Sequence, residues 1–422
     1  MPEQTQSNIR GWIVTFAALG INLASGTLYA WSVMGKALVT RAENPWTKTQ
    51  AAIPFAVATA TFSIMMIFAG RMQDKIGPRR IALLGGIVLG AGFIAASFAT
   101  TPALMGLCFA LVGLGIGLSY AATTPAAIKW FPPARKGLIT GIVVSGVGLA
   151  AVYASPLAAI MLKHMDISQT LFILGIGSIV SICLLALIVN NPPAGYVPPS
   201  SAALVPAAKA KAAISGRNMD WPEMLSTPQF YLLWIIFVLG ATPGLMIIAN
   251  VAMIADQQAK WVAGFVPVMT LALFNASGRI VGGFVSDRIG RTQTIILAFV
   301  LQAVNMLVFS HYTTPAMLVF GTAFTGLCYG TIFTLMPAAT ADFYGVRNLG
   351  VNFGLLFTAF GVAGSLGSLL GGRVRDLLGS YFVAYMIMAG MLLVGAALAS
   401  ITRAPRIPAE PAVPAKEPAS VA

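Results

Sequence analysis

Charged residues are so sparse along this chain that the gaps between them define its elements. Residues 11–35, 49–70, 137–162, 348–372 and 377–402 contain no Asp, Glu, Lys or Arg, and each gap has room for one apolar stretch. Residues 81–128 have room for two, with a turn at Thr100-Thr101-Pro102. Residues 292–341 hold two more, broken around His311-Tyr312-Thr313-Thr314-Pro315. Residues 168–190 and 228–255 each give one, and 261–286 gives one interrupted only by Arg279. A membrane-crossing helix needs ~20 apolar residues. The pattern therefore predicts twelve spans, numbered here in chain order. The runs are far longer than barrel strands and lack two-residue alternation, so they read as helices.

Composition agrees. Of 422 residues, 58% are hydrophobic and 9% charged, against about 25% charged in soluble domains, and the mean hydropathy is +0.85. A soluble enzyme, a nucleic-acid binder or a disordered protein is excluded as a whole-chain reading. The net charge of +13 then belongs to loops facing anionic lipid. Seventeen of the 25 Lys and Arg residues fall on the side of the termini and the central loop, and seven on the other. That asymmetry predicts cytoplasmic termini, and the short loops fit a bacterial inner membrane. The first residues do not read as a cleaved signal. The expected organisation is a six-span half (1–190), a Pro-, Ala- and Lys-rich linker (191–227), a second half (228–403) and a disordered tail (404–422).

The halves repeat at an offset of 213 residues. Gly70, Asp74, Ile76 and Gly77 recur as Gly283, Asp287, Ile289 and Gly290, and Lys75 recurs as Arg288. The same offset pairs Gly113 with Gly326, Gly117 with Gly330, Gly141 with Gly354 and Gly148 with Gly361. A parallel repeat of six spans is a transporter architecture.

The doubled motif after spans 2 and 8 resembles the signature of the major facilitator superfamily. Gly26-Thr27-Leu28-Tyr29-Ala30-Trp31 in span 1 resembles oxalate/formate antiporters, and Arg135-Lys136-Gly137-Leu138-Ile139-Thr140-Gly141 opening span 5 resembles these and the monocarboxylate transporters. The resemblance implies an all-α fold of twelve helices in two pseudo-symmetric halves. It also implies a packing and gating role for Gly70, Asp74, Gly77, Gly283, Asp287, Arg288 and Gly290.

Arg279 is the one ionisable residue deep within a span. A central Arg costs about 2.5–3.5 kcal/mol on insertion scales, and no deep Asp or Glu offsets it. Its planar fork suits a carboxylate, and related transporters place such an Arg in span 8 on the substrate. Asn275 lies one turn earlier on the same face, where animal monocarboxylate transporters carry an Asp. Those relatives also have a Lys within span 1, whereas Lys36 lies at the outer end here. The familiar proton carriers are thus missing, and Asp256, ending span 7, is the remaining candidate. Oxalate transporters carry a second cation in span 11 where this chain has Phe360. One buried cation balances one carboxylate, which favours a monoanion.

Tyr120, Tyr329, Phe333, Leu28 and Tyr29 are expected to line the rest of the pocket, although Leu28 and Tyr29 are adjacent and should not both face squarely inward. Tyr381 and Tyr385 read as interfacial anchors or outer-gate residues. Cys108, Cys183 and Cys328 read as small apolar residues, and His164 and His311 as structural. There is no phosphate-binding loop, catalytic constellation, metal-ligand set or cofactor motif. The expectation is a monomeric, non-enzymatic secondary transporter of small monocarboxylates such as L-lactate, with a proton. The alternative is an organic-anion exchanger of the oxalate/formate type.

Overall fold

The computed structural model describes residues 2–41, 44–132, 135–193, 196, 218–345 and 348–405, with backbone only at 2–8, 71, 74, 136 and 137. Among these residues twelve helices are long and apolar enough to cross a membrane: Ile9–Thr40, Lys48–Gly70, Pro78–Ser97, Pro102–Ile128, Leu138–His164, Ile167–Ala186, Pro228–Ala259, Phe265–Ile289, Arg291–His311, Pro315–Tyr344, Leu349–Leu378 and Phe382–Ile401. They match the twelve predicted spans one for one, and the described residues form no strand. The chain is an integral membrane protein of two six-helix halves related by a pseudo-two-fold axis.

Repeat-related signals start the helices. The Thr101 and Thr314 hydroxyls, 213 residues apart, accept the backbone N–H of Leu104 and Met317, and Pro follows each as the first helical residue. The motif expected as a loop after spans 2 and 8 instead forms the last helical turn. Helix continues to Ile76 and to Ile289, and Gly77 and Gly290 end it at φ +90 and +94°. With ψ of 153 and 158°, this backbone is open only to glycine.

Glycine also sets the helix spacing inside each half. A Cβ at Gly330 would lie 2.0 Å from the Asn275 carbonyl oxygen, and one at its repeat mate Gly117 would lie 2.7 Å from Met65. Spans 8 and 10, and spans 2 and 4, therefore pack nearly backbone to backbone.

Two spans are interrupted. Span 1 tightens into a 3-10 segment over Gly26–Ala30. Span 11 breaks at Phe357, between Leu349–Leu356 and Thr358–Leu378, where the Trp234 indole of span 7 donates to the Thr358 hydroxyl at 2.8 Å. Of the predicted linker, 194–195 and 197–217 lie outside the described residues. Its end is ordered: a short helix, Trp221–Leu225, is capped by Asp220, and the Met219 N–H donates to the Tyr344 carbonyl. The predicted tail falls outside the described residues from 406 onward.

The halves meet at the end of the bundle remote from the termini. Lys36 of span 1 reaches Asp256 of span 7 at 2.9 Å. Asp376 of span 11 accepts the backbone N–H groups of Lys48 (3.0 Å) and Thr49 (2.7 Å) and the Thr49 hydroxyl (2.6 Å), so it caps span 2 from the other half. Replacing Asp376 with Ala should loosen this seam. In a background lacking Cys108, Cys183 and Cys328, a cysteine placed at Val33 should then react about tenfold faster with an impermeant maleimide. That is the weight of one charge-assisted bond, discounted because Asp376 is exposed. Unchanged labelling would show that the seam is held elsewhere.

Candidate functional site

The interrupted segments and the halves' interface converge on Arg279. Its Nη1 donates to the Val144 carbonyl of span 5 at 3.1 Å, and its Nε to Asn275 Oδ1 at 3.3 Å. The guanidinium also lies over the Phe333 ring, with Cζ 5.4 Å from the centroid, a cation–π distance. Among the described residues it pairs with no carboxylate. A positive charge is thus held in the middle of a membrane by a carbonyl, an amide oxygen and ring faces.

Three tyrosines surround it. Tyr29, Tyr120 and Tyr329 all feel the Arg279 charge, with Tyr120 beside the guanidinium and Tyr29 facing Tyr329. Tyr329 is 2% exposed and its hydroxyl has no hydrogen-bond partner of normal geometry. A buried hydroxyl without a partner is costly. This one lies beside Tyr29, with the Arg279 charge nearby.

Apolar walls close the site. Phe333 contacts Tyr329 (4.7 Å between centroids) and Phe360 (5.5 Å), and Phe360 stacks on Phe357 (5.0 Å). Phe62 of span 2 links Tyr120, Phe357 and Phe360 at 5.4–5.7 Å. Leu28 and Tyr29, adjacent in sequence, both turn inward. Each is buried, and both line one small void with Phe62 and Phe360. The expectation that they could not both face inward fails, and helix type is not the reason: the 3-10 step of about 120° over Gly26–Ala30 turns neighbours farther apart than the 100° of an α-helix. Arg279, Tyr120 and Phe333 keep partial exposure, whereas Asn275, Tyr29, Tyr329 and Phe360 are buried.

The repeat explains how these residues find each other. At the 213-residue offset Phe62 is the mate of Asn275, Tyr120 of Phe333, Val144 of Phe357, and Gly148 of Gly361. A pseudo-two-fold axis through the site brings mates to opposite walls. Phe62, Phe357 and Val144 were not picked out from the sequence, and applying the offset to Asn275 would have raised only the first. Arg279 breaks the symmetry, since its mate is Met66.

Other candidates lie elsewhere. Asp256 belongs to the remote seam and pairs with Lys36, not with nearby Lys260. Tyr381 and Tyr385 are buried rather than interfacial, 3% and 0% exposed, and the Tyr385 hydroxyl donates to Gln258 of span 7 at 2.8 Å. Gly70, Gly77, Gly283 and Gly290 lie at the terminal end. The Asp74 side chain is outside the described residues. Asp287 pairs with Arg291 at 3.2 Å, and Arg291 also reaches Asp342 of span 10 at 3.3 Å and bonds to Ser286. Arg288 of the same motif sits on the Phe284 ring at 4.1 Å.

The chain is similar to an oxalate:formate antiporter of Oxalobacter formigenes, 27% identical over 93% of this chain and 91% of the relative. It is also similar to a probable sulfoacetate transporter of Cupriavidus necator, 24% identical over 86% of each. A third relative is monocarboxylate transporter 13 of Bos taurus, 23% identical over 91% of this chain and 87% of that one. The model of the Major Facilitator Superfamily matches residues 11–271 and 245–421. Twelve spans in two repeated halves, a site on the axis between them and this match together place the chain in the Major Facilitator Superfamily.

Proposed function

We propose that this protein is a secondary transporter of small monocarboxylates, with short hydroxy acids such as L-lactate as the preferred class, carried together with a proton. The observation that carries the reading is Arg279: a cation in mid-membrane with hydrogen-bonding oxygens around it and, among the described residues, no carboxylate paired with it. An anionic substrate supplies the missing charge. Asn275, Tyr120 and Tyr329 orient its remaining polar groups, and Phe62, Phe333, Phe357 and Phe360 limit its size. The named relatives act on oxalate, formate, sulfoacetate or monocarboxylates, all carboxyl-bearing anions. One cation with Phe360 opposite favours a single carboxylate over two, because a second would be buried unpaired.

The excess of Lys and Arg puts the termini in the cytoplasm. The Lys36–Asp256 and Asp376–Thr49 seam then closes the outer face, and the partly exposed Arg279 faces inward. Rocking of the halves about the site alternates access. Symport of a proton makes each turnover electroneutral.

Uptake of labelled L-lactate into proteoliposomes, with an inward proton gradient and no internal anion, tests the reading. Accumulation that follows the gradient is expected. Uptake that waits for an anion loaded inside would replace symport with exchange, the mode named for the Oxalobacter relative.

A further inference from the structure

Two of the Arg279 donors that a carboxylate would use are already taken by the protein. Nε donates to Asn275 Oδ1, and Nη1 donates to the Val144 carbonyl. The two acceptors are not equivalent. Asn275 rides on the same helix as Arg279 and moves with it. Val144 belongs to span 5, in the other half. Its bond to Arg279 is therefore a tie between halves, made by the same donor a substrate would use.

Gly148 admits the tie. A Cβ there would stand 3.2 Å from Asn275 Nδ2 and 3.7 Å from Arg279 Nη2. With no side chain at Gly148, span 5 can sit close enough to span 8 for a backbone carbonyl to reach the guanidinium.

Resting on the reading of Arg279 as the anion anchor, we infer that the Val144 carbonyl is a built-in stand-in for the substrate carboxylate, with Gly148 as the residue that positions it. Without substrate, the carbonyl solvates the cation and lets the halves pass through the closed arrangement with no anion aboard. An end-on carboxylate displaces it, so loading trades an inter-half bond for a ligand bond and frees span 5 from span 8. The tie thereby sets the balance between net transport, which needs the empty return, and exchange, which does not.

The test is the ratio of net efflux into anion-free buffer to counterflow, both with labelled L-lactate in proteoliposomes. Gly148→Ala should lower both rates, but efflux about tenfold more, the weight of one hydrogen bond to a charged group. Gly141→Ala, in the same helix with nothing within 4 Å of the new Cβ, should leave the ratio unchanged. Equal loss of both rates in Gly148→Ala would reduce the glycine to packing and overturn the inference. Wild-type protein that exchanges but shows no net efflux would overturn it too. If Arg279→Ala keeps full counterflow, the anchor reading itself fails, a separate result.

A second measurement does not depend on the variant's folding. Spin labels at the exposed positions Leu138 of span 5 and Phe284 of span 8, in protein otherwise wild type, should move apart when L-lactate is added. An unchanged distance would also sink the inference.

Discussion

Replacing Arg279 with Ala should abolish accumulation of labelled L-lactate, lowering uptake roughly 30-fold or more, because losing one partner of a buried charge pair costs about 2–5 kcal/mol. The protein itself should be no less stable. Arg279 pairs with no carboxylate among the described residues, so its removal strands no opposite charge, and a central Arg opposes insertion. Normal yield and an unchanged or raised Tm are therefore expected beside the lost transport. Arg279→Lys separates charge from shape. It keeps the positive charge but loses the fork that holds Asn275 and Val144 together and the flat face over Phe333. Transport should still fall by about tenfold, mostly in KM. Full uptake by the Ala variant would remove the central support for the proposed function.

Gly330→Ala should be among the most damaging single added methyl groups. The new Cβ would need to occupy a position 2.0 Å from the Asn275 carbonyl oxygen, which is helix backbone and cannot swing aside as a side-chain tip does. Span 8 would have to move away from span 10, at a cost of about 1–3 kcal/mol, carrying Asn275 and Arg279 with it. The expected result is a Tm several degrees lower, with uptake reduced beyond the loss of folded protein. Gly350→Ala, where nothing lies within 4 Å, is the matched control. A Gly330→Ala protein with wild-type Tm and uptake would mean that spans 8 and 10 sit farther apart than described here.

Much of the site could be read from single residues, and the rest only from relations between residues. Arg279 stood out because one charge in a 26-residue apolar gap is conspicuous in any sequence. Asn275 followed from helical spacing. Phe62 and Phe357 did not, because an apolar ring in an apolar helix carries no local mark. Among the 24 phenylalanines, only position relative to the axis separates those that touch Phe360 from those that face lipid. The Val144 carbonyl was beyond reach for a stronger reason. It is backbone, which every residue has, and what singles it out is the approach of another helix.

The amino-acid sequence by itself determined the twelve spans, their repeat and the presence of one central cation. These follow from hydrophobic length, a constant offset and the cost of a charge in hydrocarbon, all of which act locally along the chain. It also marked Asp256 and Lys36 as charges at span ends. Only the tertiary structure decided that these two pair across the halves, that Asp376 caps a helix it does not belong to, and that Leu28 and Tyr29 share one void. Only it joined Arg279 to the Val144 carbonyl. Each of these depends on where two helices far apart in sequence cross, which is set by close-packed side chains and by glycines summed over the whole bundle, and no single segment encodes that sum.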